Sequence, residues 1–395
     1  MNTRFTAKFV TICAATGLAV SLAGCSGGSL SENSGSDSAA QGNTITLGSI
    51  TTNSGTAAAY GEAEVAGFKL AISEINKAGG INGKKVKLES MDDKGDPTES
   101  SNAFNKLSVD DSVLAVLGPT ISATTAAVAP LADQSKLVAI APAATADSIE
   151  SGNYLFRACF KDSYQGEIAA RFAAKTLKVK KVAVLYGTGD PYSSGTAESF
   201  MKEAKQLGLD VVDQESSSSA DDTEYSSQLQ KIQASGAEFL YAPYYYSIAG
   251  PYIIPQARSV GFNGVVMGPD GYDGLKLTDN VSLYNKVYYT THYSPDDKEN
   301  SKVADFIKSF RSENKSDPNT FSALSYDTAY MAKQAIEKAG KNPTREQVRK
   351  ALAGSKFDGV TGSFTLDKTG SPKKSVIVLE MKDGKPVFNS TVKPA

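Results

Sequence analysis

The fold is decided by residues 44–80, which read TITLGSITTNSGTAAAYGEAEVAGFKLAISEINKAGG. Residues 45–50 form a short apolar run that is typical of a β-strand, and a loop of small and hydroxyl residues follows it. Apolar side chains then recur at helical spacing over residues 65–75, and two consecutive glycines end the predicted helix. This stretch therefore predicts one strand–loop–helix unit.

The same kind of unit recurs along the rest of the chain. Further strand candidates cover residues 86–90, 114–117, 137–141, 182–186, 211–213, 239–242, 265–268, 287–291, 362–366 and 376–381. Amphipathic helical stretches separate most of them, and the longest covers residues 321–339. Such alternation indicates parallel sheets with helices on both faces. About eleven strands are many for one open sheet, so the sequence predicts an α/β protein with two doubly wound lobes.

The N-terminus has the pattern of an export signal. Arg4 and Lys8 precede an uncharged apolar run, residues 9–21, which is too short to span a bilayer. The run ends in Leu-Ala-Gly-Cys, similar to a bacterial lipobox, so we expect a signal peptide over residues 1–24 and a lipid on Cys25. The alternative is an ordinary signal peptide followed by a chance cysteine.

The segment after the signal predicts a flexible tether. Residues 25–43 comprise the lipidated cysteine and a stretch rich in Ser and Gly, which cannot bury enough apolar surface to become ordered. A lipid and a tether would hold the folded body outside the cytoplasm, anchored to the bacterial cell membrane. Within that body only Cys159 remains, so we expect no internal disulfide.

Composition excludes several classes of function. The 41 Lys and Arg residues balance 43 Asp and Glu residues, which argues against nucleic-acid binding. The chain has three cysteines and one histidine and lacks a C-x-x-C or H-E-x-x-H motif, so we expect no metal site. It also lacks a glycine motif for nucleotide binding, so we expect no other cofactor. The only imidazole, His292, lies at the end of a predicted strand, so a Ser-His-acid hydrolase is disfavoured. We therefore expect a binding protein and not an enzyme.

The loops after the predicted strands favour ligand binding. Small and hydroxyl residues fill the segments 51–55, 118–122, 141–145, 187–192 and 268–271. In parallel α/β sheets ligands bind beyond the carboxyl ends of strands, where helix N-termini favour an anion such as a carboxylate. Any single loop is better explained as an N-cap or turn, and a tyrosine near it is often only half-buried packing. Their placement after successive strands is what favours a site.

A set of short motifs along the chain is recognisable, at residues 54–61, 74–84, 92–97, 116–118, 142–145, 256–258 and 267–271. Together they resemble the leucine/isoleucine/valine-binding proteins of ABC transporters. The resemblance implies a type I periplasmic-binding fold, in which three hinge crossings join two lobes that close over a ligand. It assigns residues 44–162 and 292–366 to lobe 1, and residues 163–291 and 367–395 to lobe 2.

The resemblance also implies a ligand site. It puts Ser122 and Thr145 on the α-carboxylate of the ligand, and the Ala143 carbonyl and Thr145 hydroxyl on the α-ammonium. Asp270 matches the acid that pairs with the ammonium, although Pro-Asp-Gly is also a common turn. The implied aromatic walls are Tyr60, Tyr192, Tyr245 and Tyr326, with Tyr244 and Tyr246 as alternatives to Tyr245.

The function implied is that of an extracytoplasmic receptor of an ABC importer. It would capture an amino acid, branched-chain or aliphatic, by lobe closure and work as a monomer. Its partners would be this ligand, the permease subunits of the transporter and, through the lipid, the membrane. The alternatives are a receptor for an amide, a urea-like molecule or an aromatic acid, and a sensor that reports to a membrane receptor.

Overall fold

The structure, a computed structural model, describes residues 43–219, 222–298 and 300–393. The predicted signal peptide and Cys25 lie outside these residues, as does the predicted tether except for its last residue. None of the helices in the three described ranges combines the length and the apolar character that crossing a membrane requires.

The first sheet has five parallel strands in the order β2-β1-β3-β4-β5. Its strands are β1 (Thr44–Thr51), β2 (Lys85–Asp92), β3 (Val113–Leu117), β4 (Val138–Ala141) and β5 (Leu155–Arg157). The helices between them are α1 (Ala58–Lys77), α2 (Pro97–Ser108) and α3 (Ser122–Ser135). The central strand β3 is buried over its whole length, as expected for a parallel strand with helices on both faces.

The second sheet begins with five parallel strands. They are β6 (Lys181–Gly187), β7 (Asp210–Ser217), β8 (Phe239–Tyr241), β9 (Val265–Gly268) and β10 (Val287–Thr291). The α-helices of this region are α4 (Asp162–Arg171), α5 (Pro191–Gln206), α6 (Ser226–Ala234), α7 (Tyr246–Ile248) and α8 (Ile254–Ser259). Two π-helical segments, Phe172–Leu177 and Ala249–Ile253, continue α4 and α7. Short 3-10 turns lie at Asp147–Ile149, Asp270–Tyr272 and Val281–Tyr284.

The last part of the chain contributes to both lobes. It contains α9 (Lys302–Asn314), α10 (Thr320–Ala339), α11 (Arg345–Leu352), β11 (Lys356–Gly359), β12 (Gly362–Thr365), β13 (Val376–Lys382) and β14 (Lys385–Val392). Helices α9 and α10 pack against α1 of the first lobe, and β11 and β12 form a hairpin. Strands β13 and β14 are antiparallel and complete the second sheet, whose order is β14-β13-β10-β9-β8-β6-β7. The chain thus passes between the lobes three times.

These observations confirm the predicted fold class of two parallel-sheet α/β lobes. The predicted strands are present, whereas β5, β11 and β14 were not predicted from the sequence. Strand β5 has three residues and ends in an arginine, and β14 is an exposed edge strand, so neither has a clear apolar pattern. The lobe boundaries at residues 162, 291 and 366 stay predictions; each lies at or next to a segment that joins the two sheets.

Close packing of α1 against α10 depends on Gly67. A Cβ atom at this position would lie well inside van der Waals distance of the Ser322 carbonyl and the Ser325 hydroxyl. In an exposed helix, Gly→Ala would stabilise the protein by about 0.5–1 kcal/mol. Here we expect G67A to lower the free energy of unfolding by about 1–3 kcal/mol, because α10 must shift. Urea denaturation followed by circular dichroism measures this difference.

The matched control is K69A, an alanine substitution at an exposed position of the same helix. It should change the free energy of unfolding by no more than about 0.5 kcal/mol. An increase in stability in G67A would contradict the tight contact between the two helices.

Candidate ligand site between the lobes

A narrow cavity lies between the two lobes, beyond the carboxyl ends of their strands. Its volume is about 10 Å³, which is room for about one water molecule. The residues that line it are Tyr60, Thr120, Ile121, Ser122, Ala143, Tyr192, Tyr245, Asp270, Gly271 and Phe321. A wider opening of about 500 Å³ adjoins it and shares Ile121 and Tyr245. Ligands of parallel α/β folds bind at this end of the strands, so this is the candidate site.

The floor of the cavity on the second lobe is the buried carboxylate of Asp270. Its Oδ1 accepts hydrogen bonds from the Tyr192 hydroxyl (3.0 Å) and from Nε2 of Gln165 (3.1 Å), and its Oδ2 lies 3.0 Å from Nε2 of His292. The orientation of the Gln165 amide is fixed, because its oxygen accepts from the Asp270 N–H and from the Thr290 hydroxyl. Asp270 is therefore held by three side chains and still borders the cavity.

Burial shifts the pKa values of two titratable groups near Asp270. It lowers the pKa of His292 to about 4, against the opposing effect of the hydrogen bond to Asp270. Burial also raises the pKa of Asp162 well above its usual value, and the charge of Asp270 adds to the shift. At neutral pH His292 is thus uncharged, and Asp270 has no cationic imidazole beside it.

On the first lobe, the beginning of helix α3 borders the cavity. Ser122 is the first residue of this helix, and no side chain caps it. The Ser122 hydroxyl accepts from the Ala146 N–H (3.1 Å), so its own proton remains available to a ligand. Beside it, the Thr120 hydroxyl contacts the buried Glu64 carboxyl (2.6 Å), and burial raises the pKa of Glu64 well above its usual value. Free N–H and O–H donors at a helix start suit an anion.

Aromatic side chains form the walls. Tyr192 and Tyr245 stack with ring centroids 5.2 Å apart, and Tyr60 stacks on Phe321 with centroids 3.9 Å apart. The hydroxyls of Tyr60 and Tyr192 both contact the backbone of Gly271, through its carbonyl and its N–H respectively. These rings give the middle of the cavity an apolar surface.

The structure distinguishes between the three consecutive tyrosines that follow β8. Tyr245 lines the cavity, whereas the Tyr244 hydroxyl bonds to Ser217 within the second lobe (2.8 Å). The Tyr246 hydroxyl accepts from the Ala59 N–H of the first lobe (3.1 Å). Of the alternatives left open by the sequence, Tyr245 is the one that lies at the cavity.

Two residues expected at the site do not line the cavity. Tyr326 packs against Tyr330 on α10, and its hydroxyl donates to Glu74 (2.5 Å), so it does not line this cavity and its place in an aromatic wall stays a prediction. Thr145 is buried behind the cavity, and its carbonyl accepts from the N–H of Asp162 (2.9 Å). Its contact with a ligand stays a prediction.

Sequence reasoning missed several residues that the structure brings to the site. Phe321 lies at the start of the long predicted helix and lines the cavity. The resemblance implies a place in the aromatic wall for Tyr326, five residues further along this helix. Thr120 lies in a loop that the sequence singled out, so its proximity to Ser122 was a usable signal. Gln165 had no such signal, because its contact with Asp270 joins residues 105 positions apart.

Two parallel-sheet lobes, three connecting segments and a cavity between the strand ends define a type I periplasmic-binding architecture. A family model described as periplasmic binding protein matches residues 44–386. A leucine-, isoleucine-, valine-, threonine- and alanine-binding protein of Pseudomonas aeruginosa is 30% identical over 81% of this chain and 84% of its own. The chain therefore belongs to the periplasmic binding protein family, among the branched-chain amino acid-binding proteins.

Solved structures agree with this assignment. LivJ, a branched-chain amino acid transporter substrate-binding protein from Streptococcus pneumoniae solved with isoleucine, has 31% identity and a TM-score of 0.83 over 89% of this chain and 100% of its own. The leucine-binding protein LivK from Thermotoga maritima has 28% identity and a TM-score of 0.82, over 89% and 99% of the two chains. The family consists of extracytoplasmic solute-binding proteins and not of enzymes, as the sequence predicted.

The lowered pKa of His292 predicts how the stability of the protein depends on pH. The pKa of His292 is about 4 in the folded protein and near 6.5 when unfolded, so only the unfolded chain takes up this proton between these values. The His292 contribution to the free energy of unfolding is therefore complete above pH 6.5 and falls by about 3 kcal/mol as the pH drops to 4. Urea denaturation between pH 4 and 7.5 should show this loss in the unaltered protein.

The control is H292Q, which keeps an amide donor but does not titrate. Asp273, whose pKa burial raises to about 6, acts with the opposite sign but is present in both proteins. The difference between the two pH profiles therefore isolates His292. Parallel profiles between pH 4 and 6.5 would contradict a buried, neutral imidazole.

Proposed function

We propose that this protein is the receptor of an ABC importer and captures a branched-chain or other aliphatic amino acid between its lobes. The observation that supports it is the convergence of an acid, a helix start and aromatic walls on one cavity. An amino acid zwitterion needs an acceptor at one end, N–H and O–H donors at the other, and an apolar surface for its side chain.

The two charged ends of the ligand find complementary groups on opposite lobes. Asp270 on the second lobe would pair with the α-ammonium, with the Ala143 carbonyl as a further acceptor. The start of α3 and the Ser122 hydroxyl on the first lobe would bind the α-carboxylate. Burying both charges is favourable only when each is paired, so the ligand is held where both lobes contribute.

Lobe closure would complete the binding. The lobes already make hydrogen bonds across the cleft, from the Tyr60 hydroxyl to the Gly271 carbonyl and from the Tyr246 N–H to the Tyr60 hydroxyl (3.0 Å). Because the cavity has room for only about one water molecule, a ligand would enter only when these contacts open, and it would then replace them with its own. A ligand bound by both lobes stabilises the closed state by its differential affinity for that state.

The receptor would deliver its ligand to a transporter in the membrane. The closed monomer would be recognised by the permease subunits of the transporter. The predicted lipid on Cys25 and the tether of residues 25–43 would keep the receptor at the membrane surface. A receptor that signals to a membrane sensor would use the same ligand chemistry.

Binding of leucine, isoleucine and valine by isothermal titration calorimetry tests the function. We expect a micromolar or tighter dissociation constant, which corresponds to a binding free energy of about −8 kcal/mol or more favourable. D270N should weaken leucine binding about tenfold or more, because it removes the charge opposite the ammonium. Y326F, which alters a hydroxyl remote from the cavity, is the matched control and should bind as the unaltered protein does.

The same titrations separate the alternatives. Binding of an aromatic acid, an amide or urea without binding of any amino acid would refute the proposal. Unchanged leucine affinity in D270N would remove Asp270 from the site, and weakened binding in Y326F would return Tyr326 to it.

The lipid anchor has its own test. C25A should abolish labelling of the protein by radioactive palmitate in expressing bacteria, because the acyl chains are attached to this cysteine. C13A lies inside the predicted signal and is the matched control, which should be labelled as the unaltered protein is. Equal palmitate labelling of C25A and the unaltered protein would contradict the anchor.

A further inference from the structure

His292 touches the acid of the site without lining the cavity. Its Nε2 lies 3.0 Å from Oδ2 of Asp270, and both side chains are buried. It is the only histidine in the sequence. Asp270 does line the cavity, so the hydrogen bond between them connects His292 to the site.

The hydrogen-bond pattern identifies the tautomer of His292. A carboxylate only accepts hydrogen bonds, so the imidazole proton that faces Asp270 is on Nε2. This tautomer leaves Nδ1 as an acceptor, and among the described residues Nδ1 has no hydrogen-bond partner. The unpaired atom is then an acceptor and not a buried N–H donor, which is the less costly arrangement. His292 therefore donates to Asp270.

The imidazole is fixed by two of the segments that join the lobes. His292 directly follows β10, and its ring stacks on Phe160, between β5 and α4, with centroids 3.6 Å apart. Its backbone N–H lies 3.3 Å from the Thr320 hydroxyl at the start of α10. An imidazole held in this way has little freedom to reorient, so the position of its N–H sets the orientation of the Asp270 carboxylate.

The two oxygens of Asp270 are held by different groups. Gln165 and Tyr192 donate to Oδ1, whereas His292 is the partner of Oδ2 among the described residues. Removing the His292 contact would leave the carboxylate fixed at one oxygen only, and it could rotate about its Cβ–Cγ bond. A rotated carboxylate would no longer present the same oxygen to the cavity.

We propose that His292 is a positioning residue that orients the Asp270 carboxylate toward the ligand and thereby sets the preference for an α-ammonium over a neutral α-hydroxyl group. The inference rests on the proposed function, because it takes Asp270 as the partner of the ammonium. A carboxylate aimed at a cation gains more from its orientation than one aimed at a neutral hydroxyl, since charge-assisted hydrogen bonds are the stronger ones. A packing role for His292 would instead affect both ligands equally.

The test compares leucine with 2-hydroxy-4-methylpentanoate, which replaces the ammonium by a hydroxyl on the same carbon skeleton. Dissociation constants are measured by calorimetry, directly or by displacement, at pH 7. We expect H292L to weaken leucine binding about tenfold and the hydroxy acid by no more than about twofold. H292Q, whose amide nitrogen can donate to Oδ2, should restore the ratio to within about threefold of the unaltered protein.

A double-mutant cycle shows whether His292 acts through Asp270. In the D270N background, H292L should weaken leucine binding by less than about twofold further, because the oriented charge is already gone. Additive losses would overturn the proposal, as would equal losses for the two ligands in H292L. If H292L does not fold, H292M fills a similar volume without a donor and carries the same comparison.

The outcomes also separate this inference from the proposed function. No binding of leucine by the unaltered protein overturns both. Normal leucine binding that D270N weakens, together with an unchanged ligand ratio in H292L, overturns the role of His292 alone.

Discussion

The buried carboxylate of Asp270 is the constraint on which the site depends. A carboxylate removed from water must be hydrogen-bonded, and here the partners come from helix α4, helix α5 and the second connecting segment. One acid at the end of β9 therefore brings together parts of the chain that the sequence separates widely. It also borders the cavity, so the arrangement that satisfies the charge in the folded protein would also orient it toward the ligand cation that we propose.

The two ends of the cavity differ in their electrostatic character for physical reasons. On the first lobe, burial raises the pKa of Glu64, which disfavours a negative charge near the proposed carboxylate site at Ser122. On the second lobe, burial lowers the pKa of His292 to about 4, so at neutral pH the imidazole carries no charge that would compete with the proposed ammonium. Burial thus disfavours the charged forms of both groups, which would work against a zwitterion.

Tyr60 connects this chemistry to lobe movement. Its ring stacks on Phe321 in the first lobe, and its hydroxyl bonds to the backbone of Gly271 and Tyr246 in the second. In the proposed closure, a ligand that opens these contacts and binds both lobes would exchange protein–protein hydrogen bonds for protein–ligand ones. Small changes in ligand chemistry would then change the population of closed molecules.

The sequence by itself determined the α/β class, because strand and helix periodicity are local properties. Its resemblance to a known family marked Tyr60, Ser122, Ala143, Tyr192, Tyr245 and Asp270, which the structure brings to one cavity. Only the tertiary structure decided which residues of α10 face that cavity, because a helix buries different faces against different neighbours. Phe321 therefore lines the cavity, while Tyr326 binds Glu74 outside it. The partners of Asp270 were likewise decided by folding, since only the packed lobes bring distant donors to one carboxylate.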